Sequence, residues 1–144
     1  MSRIVFLDFD GVLVPFASER KKRRPAVASP EAVVCLNTVI QMTGAKIVVT
    51  SSWRLHSTLQ QLSTCLKKWG VVGDVVGATP RKMTRGAEIR AWLDGRSDVE
   101  SFAIIDDDGC MAMVQDHLVK VPNPVLGLLM PEALRAIKVL EGKT

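Results

Sequence analysis

Short apolar runs alternate along the chain with longer stretches of helical periodicity. Ile4-Val5-Phe6-Leu7 is a continuous run rich in β-branched and aromatic residues, the pattern of a strand buried on both faces. Lys46 to Val49, Val71 to Val76, Phe102 to Ile105 and Leu118 to Val121 have the same character, the second of these broken by Gly73 and Asp74. Between them, Ser29-Pro30-Glu31 supplies an N-cap and a first-turn proline for a helix whose pattern runs to Gly44, a natural C-terminal stop. The spacing predicts a second helix over Ser52 to Lys68, ending before Gly70. A third starts near Gly86 and runs through Ile89 and Trp92 to Leu93, and a last one follows Pro131 to Leu140.

This alternation implies an α/β fold: a three-layer, Rossmann-like, doubly wound parallel sheet of about five strands with helices on both faces. Ligands in that architecture sit beyond the carboxyl ends of the strands, so candidate chemistry is sought there. No internal repeat, low-complexity tract or linker divides the sequence, and a single domain over residues 1–144 is expected. A domain of this size hides roughly 70% of the surface its unfolded chain exposes, enough for a substantial core.

Two strand ends carry acids. Asp8-Phe9-Asp10-Gly11 follows the first run directly, so period-two alternation aims both carboxylates one way and Phe9 the other. Neighbouring carboxylates repel unless a shared proton or a cation offsets them, and a hard divalent ion with oxygen ligands would do so. A lone Asp-x-Asp can simply end a strand in water. Here, however, the Phe102 to Ile105 run ends in Asp106-Asp107-Asp108-Gly109, which makes five acids at two strand ends. A third strand end, after Val49, carries Thr50-Ser51-Ser52, whose hydroxyls and nearby N–H groups could bind an anion or could equally cap the next helix. Trp53 and Arg54 follow at once, as candidates to stack on a base, with a place in the core as the alternative for Trp53. Arg85 opens the third helix, where a cation opposes the helix dipole; local stability would prefer an acid, and an anionic ligand would prefer the arginine. Arg81 and Lys82 are the alternatives for the same role.

Composition narrows the function classes. Hydrophobic residues make up 47% of the sequence and charged residues 24%, which excludes an intrinsically disordered chain. The net charge of +4 comes from 19 Lys and Arg against 15 Asp and Glu, and Arg20-Lys21-Lys22-Arg23-Arg24 accounts for all of the excess. The basic character is therefore one patch, in a stretch of residues 11–29 that reads as a loop or flap, and any nucleic-acid contact is expected there. A solvated charged loop is the other reading. Cys35, Cys65 and Cys110 are odd in number and lack metal-ligand spacing, and His56 and His117 pair with none of them, so reduced thiols in a cytoplasmic protein are expected and zinc is not. The apolar stretch from Ile4 to Val14 is interrupted by Asp8 and Asp10 and fails as a signal-peptide core or membrane span.

In chain order, then, a strand with DFDGVL, a strand with Thr/Ser, a basic residue opening a helix and a strand ending IIDDD resemble the haloacid dehalogenase superfamily, over Ile4 to about Val121. The resemblance implies a phosphohydrolase in which Asp8 attacks phosphorus and becomes phosphorylated, while Asp10 protonates the leaving oxygen and then activates water. It implies Mg²⁺ held by Asp8, the backbone carbonyl of Asp10 and Asp107, with Asp106 next to it as a water-mediated ligand and Asp108 surplus to the usual pair. Thr50 would hydrogen-bond a phosphoryl oxygen and Arg85 would neutralise its charge, although lysine is commoner at that motif and Lys82 lies three residues away. Gly11, Ser51, Ser52, Arg54 and Lys82 would line the substrate. Only about 18 residues separate Gly11 from the helix at Pro30, too few for an inserted cap domain. An open site suits a bulky phosphorylated substrate such as a nucleotide or polynucleotide end, or a cap supplied by a second copy of the chain. The competing classes are a receiver-like phosphate-accepting module, which would carry its acceptor on a middle strand, and a catalytically silent binding relative.

Overall fold

The computed structural model describes residues 1–16, 27–109 and 111–143. The expectations for Arg20 to Arg24 and for Cys110 lie outside the described residues. Five strands, β1 (Ser2–Leu7), β2 (Lys46–Val49), β3 (Val75–Ala78), β4 (Val99–Asp106) and β5 (Leu118–Lys120), form one sheet in the order β3-β2-β1-β4-β5. Every neighbouring pair is parallel. The helices are α1 (Pro30–Thr43), α2 (Leu59–Lys68), α3 (Arg85–Leu93) and α4 (Met130–Leu140), with 3-10 turns at Ser52–Leu55 and Ala112–His117. Among the described residues there is no separate cap.

The apolar runs are continuous because the sheet is covered on both faces. Val5, Leu7, Ile47, Val49, Ala103 and Ile105 point to one side, into a core shared with α1, α2 and α4. Ile4, Phe6, Val48 and Ile104 point to the other, against Ile89 and Leu93 of α3 and against Met111 and Val114. Phe6 is fully buried there, edge-on to Trp92 at 5.6 Å and to Phe102 at 5.7 Å. The chain winds outward from β1 to β3, then crosses back to build β4 and β5 on the far side of β1. The switch in winding direction leaves a crevice beyond the carboxyl ends of β1 and β4, the place where ligands bind in such sheets.

α1 starts and stops where its sequence signals lie: the Ser29 side chain accepts from the Ala32 N–H, and Gly44, at φ 69°, closes the last turn onto Ile40. Two elements differ from expectation. The long second helix is instead a 3-10 turn followed by α2, which has its own start, because Thr58 and Gln61 form a reciprocal capping box. The third strand begins at Val75, four residues later than its apolar run. Val71 and Gly70 close α2, with Val71 N–H bonded to Leu66 and Gly70 N–H to Lys67, and Val71 buried against the core. These are the two bonds and the apolar contact of a Schellman terminus, so the first part of that run serves the helix and not the sheet. No helix among the described residues is long and apolar enough to cross a membrane.

Candidate active site

Leu7 of β1 pairs with Ile105 of β4, so the next residues, Asp8 and Asp106, stand side by side at the crevice. The Asp8 N–H donates to the Ile105 carbonyl at 3.2 Å, which ties the acid to both strands. Asp8 and Asp106 are buried, Asp107 is half-buried, and the three offer carboxylate oxygens all within 4.8 Å of one another. That spacing lets them share one cation. Gly11 turns the chain beside them at φ 80°, and a Cβ there would lie 2.7 Å from Asp107 Oδ2 and 3.0 Å from Pro124 Cβ. Both the left-handed backbone and the close approach demand glycine. Asp10 stands apart from the trio; its Oδ2 accepts a hydrogen bond from the Trp53 indole N–H at 3.1 Å. Asp108 is exposed, and its backbone N–H donates to Asp106 Oδ1 at 3.0 Å.

Arg85 comes to this cluster from the first turn of α3. Its Nη1 lies 2.7 Å from Asp106 Oδ2 and 3.4 Å from Asp8 Oδ1, and donates to Thr50 Oγ1 at 3.4 Å. The cation sits at a helix start because two local devices offset the dipole: Thr84 caps the helix and Glu88 places an acid in its first turn, 3.7 Å from Arg85 Nε. Gly86 lets that turn press against the segment after β4, since a Cβ there would collide with the Met111 carbonyl.

One arginine does not neutralise three carboxylates. Burial, followed by repulsion from Asp106, pushes Asp8 up to about 8, with Arg85 pulling the other way and Asp107 adding to the rise. Asp106 is pushed up to about 6, again chiefly by burial, against the pull of Arg85 and the Asp108 N–H. Burial alone would lower the Arg85 pKa, but Asp106, Asp8 and Glu88 hold it above its ordinary value. The cluster is therefore short of positive charge, and its all-oxygen donor set suits a hard divalent cation.

The remaining expected residues surround the cluster in different ways. Thr50 and Ser51 are fully buried at the end of β2; the Ser51 Oγ accepts from the Trp53 N–H, as an N-cap does. Ser52 is exposed at the head of the 3-10 turn. Arg54, expected at the substrate, is turned inward: only 5% of its side chain is exposed. Its guanidinium donates to the carbonyls of Thr79, Thr50 and Ser51 and to Glu88 Oε2 at 2.7 Å, clamping the ends of β2 and β3 to α3. Lys82 is exposed, and its backbone N–H donates to the same Glu88 oxygen at 3.1 Å. Lys82, Met83, Thr84, Arg85, Glu88 and Asp108 line a cleft of about 460 Å³ beside the carboxylates.

Sequence reasoning did not anticipate the Trp53–Asp10 contact or the Arg54–Glu88 pair. The second had a faint signal, an arginine just past an apolar strand and a glutamate in a first helical turn, but 34 positions separate them. Neither the curated proteins nor the solved structures contain a match to this sequence. A family model does match, over residues 4–133, and its description is the HAD (haloacid dehalogenase) domain in Swiss Army Knife RNA repair proteins. With nearly the whole sequence covered and its acids gathered at the sheet crevice, the chain belongs to this family of HAD-type phosphohydrolases.

Proposed function

We propose that the chain is a Mg²⁺-dependent phosphomonoesterase that works through an aspartyl-phosphate on Asp8 and acts on phosphorylated nucleotide or polynucleotide ends. The observation that carries this reading is the convergence of Asp8, Asp106 and Asp107 with Arg85 and Thr50 at one strand-end crevice. Asp8, the Asp10 backbone carbonyl and Asp107, with Asp106 beside them, would hold Mg²⁺, which would supply the positive charge that keeps Asp8 ionised and polarises the phosphoryl group.

The Asp8 carboxylate oxygen forms a bond to phosphorus as the bond to the leaving oxygen breaks, and Asp10 gives that oxygen its proton. Asp10, now a carboxylate, then takes a proton from the water that attacks the phosphoaspartate, releasing inorganic phosphate and restoring Asp8. Arg85 and Thr50 address the phosphoryl oxygens, where charge accumulates in the transition state. Ser51, Ser52, Gly11 and Arg54 act around them, the buried Arg54 by holding the loops in place. The leaving group lies in the cleft along Lys82 and Met83, where the ammonium group would meet a second phosphate. The family's description ties it to RNA repair, which favours a phosphorylated RNA end over a metabolite as the leaving group. The thiols of Cys35 and Cys65, both free, suit a reducing cytoplasm.

A phosphate-release screen over nucleotides, sugar phosphates and 3′- or 5′-phosphorylated RNA and DNA oligonucleotides, with and without Mg²⁺, tests the reading. Turnover should need Mg²⁺, favour oligonucleotide ends and vanish in Asp8→Asn. Undiminished turnover in Asp8→Asn would sink the mechanism, and preference for sugar phosphates would sink the substrate class.

A further inference from the structure

An acid that serves the leaving oxygen and then a water must keep one orientation through two proton transfers, yet the terminal torsion of a free aspartate is broad. Asp10 is not free. Trp53 Nε1–H donates to its Oδ2 at 3.1 Å, and among the described residues no other side chain hydrogen-bonds this carboxylate. The indole is itself immobilised. It packs edge-on to Phe9 at 5.3 Å and 77° and to Trp69 at 5.6 Å and 68°, and those two rings meet at 5.6 Å and 72°. Phe9 is fully buried and lies in sequence between the two aspartates, so the ring that anchors the triangle belongs to the same turn as the acids. Trp53 is also fixed at its backbone, where its N–H donates to Ser51 Oγ.

We propose that Trp53 is a positioning residue for acid–base chemistry: its indole N–H occupies Asp10 Oδ2 and reserves Oδ1 for the proton exchanged with the leaving group and with water. This rests on the aspartyl-phosphate reading above. A rigid donor on one oxygen removes both rotation of the carboxylate and the choice of which oxygen reacts, and correct placement of a general acid is a large part of its value.

The test compares two substrates of nearly the same shape, p-nitrophenyl phosphate and p-nitrobenzyl phosphate. The first expels a stabilised phenolate with little need of a proton, and the second expels an alkoxide that must be protonated. Their kcat/KM values report the steps through leaving-group departure, so the aryl-to-benzyl ratio isolates the acid from general damage. Trp53→Phe, which keeps an aromatic ring and deletes the N–H, should widen that ratio about tenfold, and Asp10→Asn about a hundredfold. Trp69→Phe disturbs the same triangle without touching Asp10 and should leave the ratio as in the parent. If Trp53→Phe fails to fold, benzothienylalanine at position 53 keeps the bicyclic shape and replaces N–H with sulfur. A parental ratio in the Trp53 variants, with a widened one in Asp10→Asn, overturns the positioning role and leaves the mechanism standing. A parental ratio in Asp10→Asn overturns the mechanism and the inference with it. Equal widening in Trp69→Phe shows the effect to be packing, and also overturns the inference.

Discussion

Without a metal, the buried acids should make this protein less stable as the solution becomes more alkaline. Asp8 titrates at about 8 in the folded chain against 3.8 for an ordinary aspartate, so between those values the folded state holds a proton that the unfolded state has released. Stability therefore falls as pH rises through that window and levels off above it. At about 1.36 kcal/mol per pKa unit, the loss between pH 5 and pH 8 comes to about 3 to 4 kcal/mol. Asp106 shares the same excess charge and is not added separately. Only 9% of the Asp8 side chain is exposed, so solvent screening removes little of this. Against the 5–15 kcal/mol typical of a folded domain the loss is large. Urea unfolding in EDTA at half-unit steps of pH measures it, with Asp8→Asn as the matched neutral chain. The midpoint should drop by roughly 1 M or more between pH 5 and 8 in the parent, and should drop much less in Asp8→Asn. A parent whose metal-free stability is level or rises across that range would refute the picture of a charge-starved cluster.

Two further expectations concern single side chains. Gly11→Ala forces a methyl against Asp107 Oδ2 in a backbone conformation that costs an L-residue about 1–2 kcal/mol. Mg²⁺ affinity measured by calorimetry should fall about tenfold or more, and an unchanged affinity would detach Gly11 from the site. Arg54→Met leaves the buried Glu88 carboxylate without its 2.7 Å partner and should remove about 3–5 kcal/mol in urea unfolding. A loss below about 1 kcal/mol would show that the clamp between strand ends is not structural.

Strands β1, β2 and β4 were legible because burial on both faces writes itself as an apolar run, and the acids were legible because they end the first and last of those runs. The same signal misled at Val71, where burial belongs to a helix terminus: an apolar residue looks alike whether it faces a strand or closes a turn. The split between the 3-10 turn and α2 was readable in Thr58-x-x-Gln61, a capping box that a long amphipathic stretch concealed. The buried clamp of Arg54 was hidden for a different reason. Its position beside a strand end suits a ligand contact, but its acceptors include the carbonyls of Thr50 and Ser51 just after β2 and of Thr79 just after β3, and only the folded sheet brings these together. The same holds for Trp53, whose partner lies 43 positions away.

The backbone around Asp8 is held on both flanks, by its own N–H on Ile105 and by the Thr50 N–H on the Leu7 carbonyl. An attachment point in the middle of a sheet cannot fray locally, so its amide should exchange with solvent only when the whole molecule opens. Heat or denaturant would then displace Asp8 and melt the core in a single event, and no partly loosened form would keep the sheet while losing that aspartate's place.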